Sequence, residues 1–201
     1  MIKRNLLVMG LAVLLSACGF QLRGTGTNQL TITELDVSAR NAYGDTVRQL
    51  RQVLENSGVK VTANAPYKLV LTNEKDSQRA ASYAGNGASA EYELTTVLSY
   101  QIQGQNHLPL LNDKLEVHKI YLQDGNNITG SGQEAALARK EMRRDLIQQM
   151  IARLEQLTPA QLEKLQQAAD AKAQAEADAI EAARKTQEET PQQSPLELQD
   201  Q

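Results

Sequence analysis

The sequence predicts an α/β fold, a two-layer sandwich with two helices packed on one face of a four-stranded mixed, mostly antiparallel sheet. Three observations carry this. Residues 92 to 103 alternate apolar and polar side chains, the period-two pattern of a strand buried on one face. Two segments, one from Asp45 and one from Ser131, instead repeat apolar residues at helical spacing. The order strand, helix, three strands, helix then leaves one dry sheet face and two apolar helix stripes, which cover each other most economically in two layers.

The chain opens with Lys3 and Arg4, an apolar run from Leu6 to Leu15, then Ser16, Ala17 and Cys18. A charged start, an apolar stretch and small residues before a cut form the three-part export pattern, and the stretch falls short of the roughly 20 apolar residues that span a bilayer. Residues 1 to 17 are therefore expected to be a removed signal peptide. Leu15-Ser16-Ala17-Cys18 closely resembles the bacterial lipobox, whose cysteine receives a diacylglycerol thioether and, after cleavage, an amide-linked acyl chain. Cys18 is the only cysteine, so no intrachain disulfide forms, and several acyl chains together anchor a protein where one holds it only marginally. Gly19 stands where an aspartate would imply retention at the inner membrane, which favours the outer one.

Residues 18 to 29 are rich in glycine and threonine and read as a lipidated tether. LTITELDV, 30 to 37, alternates Leu30 and Ile32 and then shifts phase to Leu35 and Val37, a strand with an irregularity at Glu34. From Asp45, Val47, Leu50, Val53 and Leu54 recur as one helix face, with Gly58 in position for a left-handed cap and Asp45 or Asn41 available to cap the start. Val59 and Val61 follow, Ala65-Pro66 breaks the chain, and Tyr67, Leu69 and Leu71 begin a second strand. The segment from about Ser77 to Ala90 carries few apolar residues and a Gly85-Asn86-Gly87 turn signal, and reads as a long loop.

In the third strand Tyr92, Leu94, Thr96, Leu98, Tyr100 and Ile102 share one face, while Glu93, Thr95, Ser99, Gln101 and Gln103 share the other. A fourth strand spans about 114 to 122, with Leu115, Val117 and Tyr121 in phase. Ser131 and Glu134 form a capping-box signal, and the helix that follows has Ala135, Ala138, Met142, Leu146, Met150, Leu154 and Leu157 on one stripe. The 30–157 domain ends there. Thr158, Pro159 and Gln161 repeat the grammar of a helix start, but after Leu162 and Leu165 the tail of 158 to 201 is alanine, glutamine and charge, helical by propensity in part and expected to be disordered from about Thr186.

Residues 18 to 158 carry 15 basic and 15 acidic side chains, and 159 to 201 carry four and nine. Nucleic-acid partners are excluded by this balance, which lacks a basic cluster. His107 and His118 have no cysteine or carboxylate at metal-ligand spacing and read as ordinary surface or satisfied histidines. Gly85, Gly87, Gly130 and Gly132 lack the lysine and threonine of a phosphate loop and read as turns. No serine stands in a nucleophile elbow. The sequence offers no enzyme, metal or cofactor signal.

Together, ACGFQLRG at 17 to 24, AEYEL at 90 to 94 and RKEMRRDLIQQMIARL at 139 to 154 resemble the LptE family of outer-membrane lipoproteins. The resemblance covers about 18 to 157. It implies an α/β sandwich on the periplasmic side of the outer membrane, lodged as a heterodimer inside the LptD barrel. There the family plugs the barrel, assists its assembly and binds lipopolysaccharide on its way to the outer leaflet, without catalysis or cofactor. The polar strand face from Glu93 to Gln103 suits a polar barrel interior and equally suits solvent. Family members place basic side chains in the loop between the second and third strands and just before the last helix, where lipid phosphates can meet them. The matching positions here lie near Gly85 and Ser131, neither basic. The nearest cations are Lys75 and Arg79 on one side and Arg139 and Lys140 on the other, and these are the candidate lipopolysaccharide contacts. Two other classes compete: a lipid-anchored accessory subunit of another envelope lipid-transport system, and a periplasmic lipoprotein hydrolase, against which the poverty in histidine counts.

Overall fold

A computed structural model describes residues 30–42, 44–83 and 89–189. The signal peptide, Cys18, the tether, the Gly85-Asn86-Gly87 turn signal and the last twelve residues lie outside the described residues. The strands are β1 (Glu34–Ala39), β2 (Lys60–Val61), β3 (Lys68–Tyr83), β4 (Ser89–Gln103) and β5 (Pro109–Asp124). The helices are α1 (Asp45–Asn56), α2 (Ile128–Glu155) and α3 (Pro159–Glu189). One sheet runs β2-β1-β3-β4-β5, parallel where β1 meets β2 and β3 and antiparallel from β3 to β5. It has five strands where four were expected. β2 pairs only Lys60 with Glu34 and Val61 with Leu35, too short a run to show alternation.

β4 is the keel. Its inner residues Leu94, Thr96, Leu98, Tyr100 and Ile102 are all buried, and it pairs along its length with β3 on one side and β5 on the other. α2 lies over this face with Ala135, Ala138, Met142, Leu146, Met150 and Leu154 buried, the predicted stripe except for Leu157, which lies past the helix end and is half-buried, and α1 adds Val47, Leu50 and Leu54. A fully buried leucine contributes about 1.5–3 kcal/mol over an exposed one, so this interlayer seam is the main source of stability. The phase shift at Glu34 marks where pairing begins: Leu30 and Ile32 are buried before it in unpaired chain, Leu35 and Val37 after it in the strand.

The largest correction concerns the expected loop from Ser77 to Ala90. β3 continues to Tyr83 and β4 begins at Ser89. The inner positions of this half of β3 are Glu74, Asp76 and Gln78, opposite Leu98, Thr96 and Leu94, so no apolar alternation announces the strand. Partners distant in sequence satisfy them. Thr46 Oγ1 donates to Glu74 at 2.7 Å, Thr96 Oγ1 donates to Asp76 at 2.7 Å, and the Gln78 amide donates to the Tyr121 hydroxyl at 2.9 Å. All three side chains remain exposed, so polar residues are tolerated at these inner positions and the hydrogen bonds tie them to neighbouring elements.

Helix starts also differ from expectation. Neither Asn41 nor Asp45 caps α1 by side chain: Gly44 is the cap residue, its N–H bonded to the Asn41 carbonyl, and Asp45 is the first helical residue, paired with Arg48 and with Arg143 of α2. α2 begins three residues before Ser131, capped by Asn127, whose Oδ1 accepts the Gly130 N–H at 3.0 Å. Ser131 is buried, and its hydroxyl accepts the Asp124 N–H at 2.8 Å. Gly130 and Gly132, read as turns, are helical; tertiary bonds at this end outweigh their low propensity. Gly58 does adopt φ of +84° after α1, where glycine carries no steric penalty.

At the opposite end Thr158 and Gln161 form the predicted reciprocal cap: the Gln161 N–H reaches Thr158 Oγ1 at 3.3 Å and the Thr158 N–H reaches Gln161 Oε1 at 2.9 Å. Leu162 is buried in the main core and Leu165 and Ala169 pack against it. Gln166 Oε1 accepts the Gln105 N–H at 2.9 Å, directly over Gly104, where a Cβ would have no room. From Gln174 to Glu188 α3 is exposed and carries one-turn contacts such as the Lys185–Glu181 ion pair and the Gln174–Asp178 hydrogen bond. Truncation after Ala175 is expected to leave the thermal midpoint unchanged, whereas Leu162→Ala costs about 2–5 kcal/mol in denaturant titration.

Tyr100 supplies a pH test of the same core. Burial of its ring, reinforced by the Asp113 carboxylate that accepts its hydroxyl at 3.3 Å, pushes the phenol up to about 12. Its unfolded value is near 10, so this contribution is complete below pH 10 and disappears as pH rises from 10 to 12. Over that window Tyr100→Phe should flatten the loss of stability by on the order of 2 kcal/mol, read from unfolding curves at successive pH values.

Candidate functional site

The face of β3, β4 and β5 turned away from the helices carries a cross-strand charge network drawn from all three strands. Register puts Arg79 of β3 opposite Glu93 of β4, and Glu93 opposite Ile120 of β5. The Arg79 guanidinium meets Glu93 Oε2 at 2.5 Å, and His118 Nδ1 stands 3.4 Å from Glu93 Oε1. Thr95 Oγ1 lies 3.1 Å from the same Nδ1, and His118 Nε2 lies 3.6 Å from Glu116. Glu93 is the centre, its side chain only 16% exposed while Arg79 and His118 stand open to solvent at 71% and 53%. A carboxylate held between two cationic or donor groups is a neutralised pair, and its exposed flanks limit its value to about 1 kcal/mol or less.

Lys75 shares the outer face with Arg79, opposite Val97, four residues or about 13 Å along the strand. Among the described residues it makes no ion pair. Arg139 and Lys140 are exposed on α2, which covers the inner face. The sheet thus stands between the two pairs of candidate cations, and a single phosphate cannot bridge them. His118 is the surface histidine the sequence suggested, its ring open to solvent. Glu93, the partner that ties up Arg79, was not anticipated; it lies fourteen residues from Arg79 and only strand register brings them together.

On the opposite, helix-covered face at the β5 edge, Lys119, opposite Leu94, bonds Glu141 of α2, and that ammonium holds the Glu141 carboxyl below its usual value, first by the hydrogen bond and then by its charge. A depressed carboxyl adds stability above its unfolded value and loses it as pH falls through the folded one, so acid weakens the β5–α2 contact. Among the described residues no group of three or more histidine, cysteine or carboxylate side chains could hold a metal ion, and no helix is long and apolar enough to cross a membrane.

Residues 32–154, which span both layers of this sandwich, match the family model LptE, described as lipopolysaccharide-assembly. The chain belongs to the LptE family. Over 155 residues it is 31% identical to the LPS-assembly lipoprotein LptE of Yersinia pestis (strain Pestoides F), covering 74% of this chain and 73% of that one. The protein of the same name from Yersinia pseudotuberculosis serotype O:3 (strain YPIII) matches at the same identity and coverage. Among solved structures, rare lipoprotein B from Shewanella oneidensis superposes with a TM-score of 0.53 at 27% identity, over 61% of this chain and 96% of that one. Lipoprotein B from Nitrosomonas europaea gives 0.57 at 19% identity, over 73% and 96% of the two chains, and shares the fold. In LptE terms the matched frame is the sandwich, and the whole of α3 falls outside the matched span.

The cross-strand network predicts a small effect on folding. Arg79→Ala should shift stability by less than about 1 kcal/mol in denaturant titration; a larger loss would mean that Glu93 depends on it for burial.

Proposed function

We propose that this LptE-family chain is a non-enzymatic outer-membrane lipoprotein, acylated at Cys18 and facing the periplasm, that seats in the LptD barrel, assists its assembly and binds lipopolysaccharide in transit. The observation that carries the reading is the family match across the whole described sandwich, 32–154, joined to relatives whose name is LPS-assembly lipoprotein. The lipobox before the domain supports anchoring, and the cross-neutralised outer face supports a polar, wet setting such as a barrel lumen. A protein that works as a plug and escort needs shape and contacts, with no reacting group.

For lipopolysaccharide the proposed contacts remain Arg79 and Lys75, with Arg139 and Lys140 as the second set. A phosphate reaching Arg79 competes with Glu93, while Lys75 is open. This competition gives a test in which the signs differ. Titration of the full-length lipoprotein in detergent with lipopolysaccharide should show Arg79→Asp weakening binding by about tenfold or more, and Glu93→Gln, which releases the guanidinium, strengthening it. Equal affinity in all three proteins removes Arg79 from the site and moves attention to α2. Cys18→Ala should abolish both acylation, read by intact mass, and co-purification of the chain with outer membranes; an unchanged mass difference between precursor and mature forms would overturn the anchor.

A further inference from the structure

β5 is a sixteen-residue strand paired with β4 along one side, and among the described residues no strand pairs with its other side. Such an edge presents every second N–H and C=O to an incoming chain, and proteins ordinarily shorten, cover or blunt it. The other edge strand of this sheet, β2, has two residues; β5 is left long. Its outer edge also carries apolar side chains on both sides. Ile120 and Leu122, on the sheet's outer face, are 60% and 52% exposed, and Leu137 of α2 is 58% exposed. The Lys119–Glu141 ion pair fixes α2 alongside β5, and Glu116, Val117 and His118 share a groove with Asp145, Gln148 and Ala152. The helix therefore runs antiparallel to the strand, and Leu137, one turn before Glu141, flanks the same edge just past Lys119. Three of the large exposed apolar side chains thus border one stretch of free backbone.

We propose that the β5 edge between Glu116 and Gln123 accepts an extended segment of the barrel partner as a sixth strand, with main-chain bonds to β5 and apolar side chains set alternately against Ile120 and Leu122 on one face and Leu137 on the other. The inference rests on the partner reading above and names the contact. Asp145, which makes no ion pair among the described residues, borders the groove on the helix side, so the segment is basic at the end that passes it. A second copy fits less well. Antiparallel self-pairing about Tyr121 sets Ile120 on Leu122 of the other copy but brings Lys119 and Gln123 to the Leu137 side, and it covers only residues 118 to 124, away from Asp145.

The test is amide hydrogen exchange on the full-length lipoprotein, alone and in complex with the barrel protein in detergent. Alternate amides between Glu116 and Gln123 are expected to slow by about tenfold or more in the complex, and the double variant Ile120→Asp, Leu122→Asp, altered only at exposed positions, should weaken the complex by a similar factor with its thermal midpoint unchanged. A complex that forms with β5 exchange unaltered overturns this contact and leaves the partner reading standing. Absence of any complex overturns both. Concentration-dependent protection of β5 in the lipoprotein alone would assign the edge to a second copy instead and overturn the proposal.

Discussion

The antiparallel ladder that joins β4 to β3 and β5 is the constraint on which the rest of the molecule depends. It fixes which side chains face the helices, and because side chains alternate strictly along a strand, a slip of one residue would reverse every one of them. Leu98 illustrates the point: it is fully buried, opposite Leu115 of β5 and Glu74 of β3. A one-residue slip would expose Leu98 and bury Ser99 with its neighbours Glu93 and Gln101. α2 reads this register, laying its alanines and methionines over the apolar rows, and α1 closes the β1 side. The polar positions of the inner face, Glu74, Asp76 and Gln78, are held in the same register by single hydrogen bonds to Thr46, Thr96 and Tyr121. These side chains stay exposed, so each bond favours this alignment through a specific pairing.

The same register decides the electrostatics of the outer face. Arg79, Glu93 and His118 come from three strands and converge only when those strands are aligned. The result is a face with charges but little net field, which suits close approach of a polar wall better than long-range attraction of an anion. A lipid phosphate gains Arg79 only by displacing a carboxylate, so binding there would be an exchange of partners and correspondingly sensitive to small changes at Glu93. Lys75 pays no such exchange.

Legibility in the sequence followed burial pattern. β4 and α2 were readable because every inner position is apolar or a single threonine, so the period stands out. Half of β3 was not, since its inner positions are filled by polar residues whose partners lie twenty to forty-three residues away, information no local window holds. β2 is too short for any period, and the start of α2 was misplaced because Gly130 and Gly132 imitate a turn while Asn127 does the capping. Of the candidate site, the sequence shows the cations as residue types and not their environment: Arg79 sits in a stretch that reads as a loop and belongs to a strand, and Glu93 reads as an outer-face residue with no partner in view. The export and lipidation pattern needed no fold at all, being a linear signal.

The layout of the domain separates its two ends. Thr31, the point where the tether joins, donates its hydroxyl to the Leu157 carbonyl at 2.8 Å, just beyond the C-terminal end of α2, and α3 begins beside it. Arg79, Ile120 and Leu122 lie toward the opposite end of the sheet, level with the first turns of α2. At 1.5 Å per residue the eighteen residues from Leu137 to Glu155 put about 27 Å of rigid helix between them. The end that leads to Cys18 is thereby closed by Leu162 and the Gln166–Gln105 bond, and the end that carries the open edge and the exposed apolar residues is held away from it. That separation leaves one small sandwich with its N-terminal entry at one end and unpaired backbone and exposed charge at the other, the arrangement that the proposed anchor at Cys18 and the proposed strand contact both require.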